Sequence, residues 1–208
     1  MFNVTFLDNG LSVLTTSMPS TRSVTVCAFV ASGSRYETDE LGGVAHFIEH
    51  MVFKGTRRWV TAKEVSEVVE GVGGVMNAST DKEITILWMK VPSIHFQRAL
   101  ELLADMLLYP IMDGEEIEKE RQVIQEELNM TNDYPSYRAE QLLDQEIWPN
   151  QPLGRDVGGT QDSVMGLTKK HILEFMSHQY VPSNATISVA GDISEDNATK
   201  TVSHLLGD

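Results

Sequence analysis

The chain has 208 residues, 41% hydrophobic and 22% charged, which is ordinary globular usage, enough for one substantial domain over 1–208 and too apolar for a disordered chain. Its 16 basic and 30 acidic residues leave a net charge of −14, which works against sequence-independent nucleic-acid binding and mildly favours encounter with cationic peptides. A lone cysteine, Cys27, excludes an internal disulfide, and without an apolar run of bilayer length or a visible targeting signal the expectation is a cytoplasmic protein with no membrane partner.

Asn3 to Ser17 alternates apolar and polar residues about Asp8-Asn9-Gly10, which predicts an opening hairpin. Ser23 to Ser32 is nearly continuous in apolar residues and reads as a central strand, with Cys27 a small buried hydrophobe. A helix is predicted from Val44 to Phe53, and another from Thr61 to Glu70, where Thr61 and Glu64 form a capping box. Val75 to Thr80 and Ile84 to Val91 form a second hairpin across Asp81-Lys82.

Ser93 to Tyr109 is amphipathic, with Ile94, Leu100, Leu103, Met106 and Leu107 at helical spacing, and Pro110 stops it. An acidic helix follows from Gly114 to Met130, then one from Pro135 to Ile147, and Trp148 to Val164 reads as an ordered loop. A helix from Thr168 to Tyr180, a strand from Asn184 to Ala190 and a helix from Ser194 to Leu206 complete the chain. Hairpins mixed with helices, rather than strict alternation, predict an α+β fold with a largely antiparallel sheet covered by helices.

The sharpest chemical feature is His46-Phe47-Ile48-Glu49-His50. On a helix the two histidines, at i and i+4, project from one face and can reach a single metal ion, with Glu49 beside them. The other residues of this helix are apolar, so these three polar side chains need partners, and a metal supplies one. Two imidazoles and a carboxylate suit zinc, and a fourth position left to water makes a site catalytic. The acidic helix offers Glu115, Glu116, Glu118, Glu120, Glu126 and Glu127 as further ligands. Glu120 and Glu127, two helical turns apart on one face and flanked by Val123, Ile124 and Leu128, which should point inward, are set apart from the solvated charges.

Through these residues the chain resembles the pitrilysin or insulinase family of zinc peptidases, especially its mitochondrial-processing-peptidase-like branch. The likeness runs through Gly42 to Thr56, Gly74 to Thr80, Glu118 to Glu127, Pro152 to Arg155, Tyr180 to Asn184 and Ala190-Gly191-Asp192, and includes the inverted HxxEH order. The resemblance implies one Zn²⁺ per chain, held by His46, His50 and a distal glutamate at the family's spacing, which is Glu127. It implies Glu49 as general base on zinc-bound water, and Glu120 as an acid that orients a ligand or tunes that water. It makes Phe47 a pocket-lining aromatic and Asn77, Ala78, Ser79 and Thr80 an edge strand that pairs with peptide substrates. It further implies one half of a clamshell endopeptidase, completed by a second homologous half or by homo-oligomerisation. The alternative is a non-catalytic partner or structural subunit, usually marked by loss of zinc-site residues; all four are present here.

Overall fold

The computed structural model describes residues 2–207, and six of its segments join in one sheet. β1 (Asn3–Phe6) and β2 (Ser12–Ser17) form the predicted opening hairpin. β3 (Ser23–Val30) is followed by β4 (Val75–Thr80), β5 (Thr85–Pro92) and, much later, β6 (Ala185–Gly191). The order is β1-β2-β6-β3-β5-β4, so β3 is central, as expected, and β4 is an edge. Every pair is antiparallel except β2 and β6. The late arrival of β6 between the first hairpin and β3 is what makes the sheet mixed.

Side chains of β3 sort the two faces of the sheet. Val24, Val26, Ala28 and Val30 are buried, whereas Thr25, Cys27 and Phe29 on the opposite face are half-buried. Cys27 is thus less enclosed than expected, yet burial still pushes its thiol up to about 11, so it is protonated and unreactive at neutral pH.

Eight α-helices accompany the sheet among the described residues: α1 (Val44–Met51), α2 (Ala62–Val69), α3 (Phe96–Leu108), α4 (Gly114–Asn132), α5 (Pro135–Ile147), α6 (Gln161–Gly166), α7 (Lys169–Gln179) and α8 (Glu195–Leu206). The predicted capping box starts α2: the Glu64 N–H donates to Thr61 Oγ1 at 3.2 Å, and the Thr61 N–H donates to Glu64 Oε2 at 3.0 Å. No described helix is long and apolar enough to cross a membrane.

Three expectations need correction. Ile94, counted in the apolar stripe of α3, is 85% exposed, because Ser93–His95 winds as a tighter 3₁₀ turn that carries it out of phase. Val123 is exposed while Ile117, Ile124 and Leu128 are buried, so the inward stripe of α4 runs one residue to the side of it. The stretch from Trp148 to Val164 is not all loop: it holds a 3₁₀ turn at Pro152–Gly154 and the start of α6, which opens with Ser163 N–H donating to Thr160 Oγ1 at 3.1 Å. With Val164 its one buried residue, α6 is too short to show a hydrophobic period.

α1 lies inside the molecule, against α4, α7 and β4. Val44, Ala45, Phe47, Ile48 and Met51 are fully buried, and the three half-buried positions are His46, Glu49 and His50. Short helices of this kind are held by packing rather than propensity. Ile48→Ala is therefore expected to cost about 2–5 kcal/mol, read as a lower urea midpoint with an unchanged denaturant slope; a midpoint within error of the wild type would place Ile48 outside the core.

Candidate metal centre

The start of α1 is fixed from outside the helix. Gly43 has φ 87° and offers no side-chain cap. A Cβ there would fall 2.4 Å from the Gly158 carbonyl oxygen, so glycine is required both by the left-handed conformation and by the loop packed against it. The missing cap comes from Glu37, whose carboxylate accepts the Gly43 and Ala45 N–H groups, each at 2.8 Å. Burial pushes this carboxyl up to about 7, against the pull of those two amides and of Arg155. Arg155, in turn, donates to Asp39 Oδ1 at 2.8 Å and to the Glu37 carbonyl at 2.7 Å, which identifies it as a loop anchor.

One turn into α1, His46 and His50 present their Nε2 atoms to each other at 3.1 Å, with ring centroids 4.6 Å apart and planes at 83°. Glu127 of α4 brings Oε2 to 3.8 Å from His46 Nε2 and 3.5 Å from His50 Nε2. Zinc–ligand bonds of about 2.0–2.2 Å in a tetrahedron put ligand atoms about 3.3–3.6 Å apart. The three observed separations straddle that range, and two nitrogens with one carboxylate oxygen are the donors zinc prefers, so these residues fit the ion.

Behind the ligand atoms, Glu120 Oε1 meets His50 Nδ1 at 2.8 Å, which fixes the proton on Nδ1 and leaves the Nε2 lone pair facing the site. Lys54 pairs with the other Glu120 oxygen. Burial is the largest influence on Glu120 and raises its pKa, but the hydrogen bonds from His50 and Lys54 outweigh it and hold the carboxyl below the ordinary range. Burial pushes His46 down and its neighbour His50 pushes it further. At His50 burial acts in the same direction, but Glu120 and Glu127 reverse it and the net shift is upward. A metal ion must displace the proton His50 retains, so affinity falls as the pH drops through that raised value.

Beside the three ligand atoms opens a cavity of about 570 Å³, lined by His46, Glu49 and Glu127, by Ala78, Ser79 and Thr80 of β4, and by Ile124, Met130, Tyr137 and Asp156 among others. The structure thus brings Glu49 and most of the expected edge strand to the ligand cluster. Asn77, exposed, lies next along β4 but does not line the cavity; its Oδ1 accepts the Ala78 N–H at 2.9 Å. Phe47 is the correction. It is fully buried with its ring 5.7 Å from the Arg121 guanidinium, because the position after His46 turns about 100° around the helix and into the core.

Lys54, Tyr137 and Asp156 are not singled out by sequence reasoning. Tyr137 donates its hydroxyl to Asp156 Oδ2 at 3.2 Å on the cavity wall. Tyr137 and Asp156 have no motif partner nearby in the chain, whereas Lys54 follows the histidine motif directly in Phe53-Lys54-Gly55.

Comparison with known proteins bears on this geometry. The family described as Insulinase (Peptidase family M16) matches residues 12–161, a span that includes the HxxEH motif and Glu127. A zinc protease of Rickettsia felis, itself uncharacterized, is 38% identical over 204 residues, covering 98% of this chain and 49% of that protein. A probable mitochondrial-processing peptidase subunit beta of Arabidopsis thaliana is 34% identical over 202 residues, covering 97% of this chain and 38% of its own length. The crystal structure of a protease from Helicobacter pylori superposes with a TM-score of 0.95 at 27% identity, over 100% of this chain and 50% of that one. The chain therefore spans about half the length of such relatives.

Glu126 and Glu127 are adjacent, but only Glu127 faces the histidines; Glu126 is exposed. Glu127→Gln is expected to reduce bound zinc at least tenfold at a fixed chelator concentration, and Glu126→Gln to leave it unchanged. The reverse pattern in a zinc determination would put the ligand one residue earlier.

Proposed function

The chain belongs to the insulinase family of peptidases, family M16, and from that premise we propose that it is the metal-binding half of a zinc-dependent endopeptidase acting on peptides or unstructured protein segments. The observation that carries this reading is the convergence of His46, His50 and Glu127 at a cavity that Glu49 and an edge strand also line. When bound by these three side chains, zinc supplies Lewis acidity toward a peptide carbonyl and toward water.

The chain's own residues supply the rest. Glu49 stands at i+3 from His46 and lines the cavity, where its carboxylate accepts a proton from the attacking water and returns it to the leaving amine nitrogen. β4 pairs on one side with β5 and is the last strand of the sheet, so its free edge is available to an extended peptide by strand addition. Ala78, Ser79 and Thr80 would hold the residues next to the scissile bond, with Asn77 one step beyond. Glu120 keeps the His50 Nε2 lone pair aimed at the ion through its bond to Nδ1.

The competing reading, a non-catalytic partner or structural subunit, has in its favour that the Arabidopsis relative is named as a subunit. Against it stands the complete set of His46, Glu49, His50 and Glu127. Because relatives are about twice as long, we also assign the working enzyme a second, homologous half, supplied by more of the same polypeptide or by another chain, that closes over the cavity and excludes water.

Glu49→Gln should keep the metal and lose roughly two or more orders of magnitude in turnover, since an amide cannot accept the proton. Near-normal cleavage of a quenched peptide library by the folded, zinc-loaded variant would remove Glu49 from this role and favour a different base. For the second half, residues 1–208 alone should bind zinc yet cleave poorly, and cleavage should recover when the remainder of a full-length family protein is added. Full activity from a strictly monomeric 208-residue chain would defeat that assignment.

A further inference from the structure

Glu120 is 4% exposed, and a buried carboxylate needs a counter-charge as well as hydrogen-bond donors. Its two oxygens are divided: Oε1 takes the Nδ1 proton of His50, and Oε2 takes the ammonium of Lys54. Arg121, the next residue along α4, is committed elsewhere, to the Glu118 carboxylate and to the carbonyls of Val164 and Leu167. Lys54 is thus the residue that balances Glu120.

The position of Lys54 is itself defined by the fold. It sits just past the end of α1, where its N–H donates to the Met51 carbonyl at 3.0 Å. The next residue, Gly55, has φ 151°, and a Cβ there would fall 2.6 Å from the Val60 carbonyl oxygen. After it, Thr56 and Arg58 are tied to the buried Asp105 of α3, by Thr56 Oγ1 at 3.3 Å, the Arg58 N–H at 3.2 Å and Arg58 Nε at 3.1 Å. The backbone that carries Lys54 is therefore held from both sides, and its side chain, 26% exposed, reaches back along α1 to α4.

We propose that Lys54 is a positioning residue of the metal centre: by holding Glu120 Oε2 it aims Oε1 at His50 Nδ1 and so keeps the Nε2 of His50 directed at the ion. This extends the zinc-site reading above and rests on it. Without the ammonium, Glu120 loses its counter-charge and one of its two fixed bonds, and it is free to turn from His50 toward water. A lysine two links from the ion then governs how tightly the ion is held.

The test is zinc affinity, measured by competition with a chelator, together with melting of the zinc-free protein. Disruption of groups behind metal ligands typically costs about 10–100-fold in affinity, so Glu120→Gln is expected in that range and Lys54→Met at about tenfold. Lys54→Arg, which keeps the charge, should recover most of the loss. In a Glu120→Gln background, where no carboxylate needs balancing, Lys54→Met should have little further effect; such non-additivity is the mark of action through Glu120, and a purely structural lysine would not produce it. The proposal is overturned if Lys54→Met binds zinc as tightly as the wild type, if its loss is undiminished beside Glu120→Gln, or if Lys54→Arg is as weak as Lys54→Met. Should Lys54→Met fail to fold, the Lys54→Arg and Glu120→Gln/Lys54→Met comparisons still decide. Failure of the wild type itself to bind zinc would instead defeat the metal-site reading, and this proposal with it.

Discussion

His46 and His50 present their Nε2 atoms to each other at 3.1 Å from a helix that, Glu49 apart, is otherwise buried, and two imidazole lone pairs so placed repel unless a proton or a cation lies between them. The surrounding structure resolves that conflict in one direction. Glu120 takes the Nδ1 side of His50, leaving the Nε2 side to a cation, and Glu127 adds an anionic oxygen where such a cation would sit. Burial makes each of these contacts more consequential than it would be in water, because fewer solvent dipoles compete.

Elements far apart in the chain converge to maintain that arrangement. Glu37 caps α1 from before it, the loop at Gly158 closes over its first turn, and α4 crosses its polar face. Lys54 and the Asp105-bound loop secure its far end. A helix of eight residues has little stability of its own, so its position, and with it the direction of both imidazoles, is set by these neighbours. The single parallel pairing of the sheet belongs to the same construction, since β6 enters beside β3 only after α1 to α7 have passed in the chain.

The cavity and the free edge of β4 lie on the open side of this assembly. An unpaired strand edge is a liability in an isolated domain and an asset where an extended peptide is to be held. On the proposed reading, with relatives about twice as long, a second half closing over that exposed edge has a physical rationale: hydrolysis in a site open to bulk water forfeits much of the electrostatic gain that enclosure provides.

Local chemistry was legible in the residues themselves. The i,i+4 spacing of His46 and His50 with Glu49, the Thr61–Glu64 capping box, the opening hairpin and the apolar centre of β3 are all patterns written within one or two turns or strands, where geometry follows from period alone. Short-range reading failed where the period changed or ran out: at the 3₁₀ turn that exposes Ile94, at Val123 beside the inward stripe of α4, and at the six-residue α6. The family resemblance, for its part, implied a pocket-lining Phe47, which packing buries in the core instead. Among the glutamates of α4, the residues by themselves narrowed the third ligand to two, and family spacing was needed to choose. What only the tertiary structure decided was the geometry that joins these groups and the cation behind them: Glu127 Oε2 at 3.5 Å from His50 Nε2, Glu120 Oε1 at 2.8 Å from His50 Nδ1, and Lys54 on the other oxygen of Glu120. Those contacts join segments some seventy residues apart, and their distances depend on how two helices pack across a core, a quantity with no signature in the order of residues along either one.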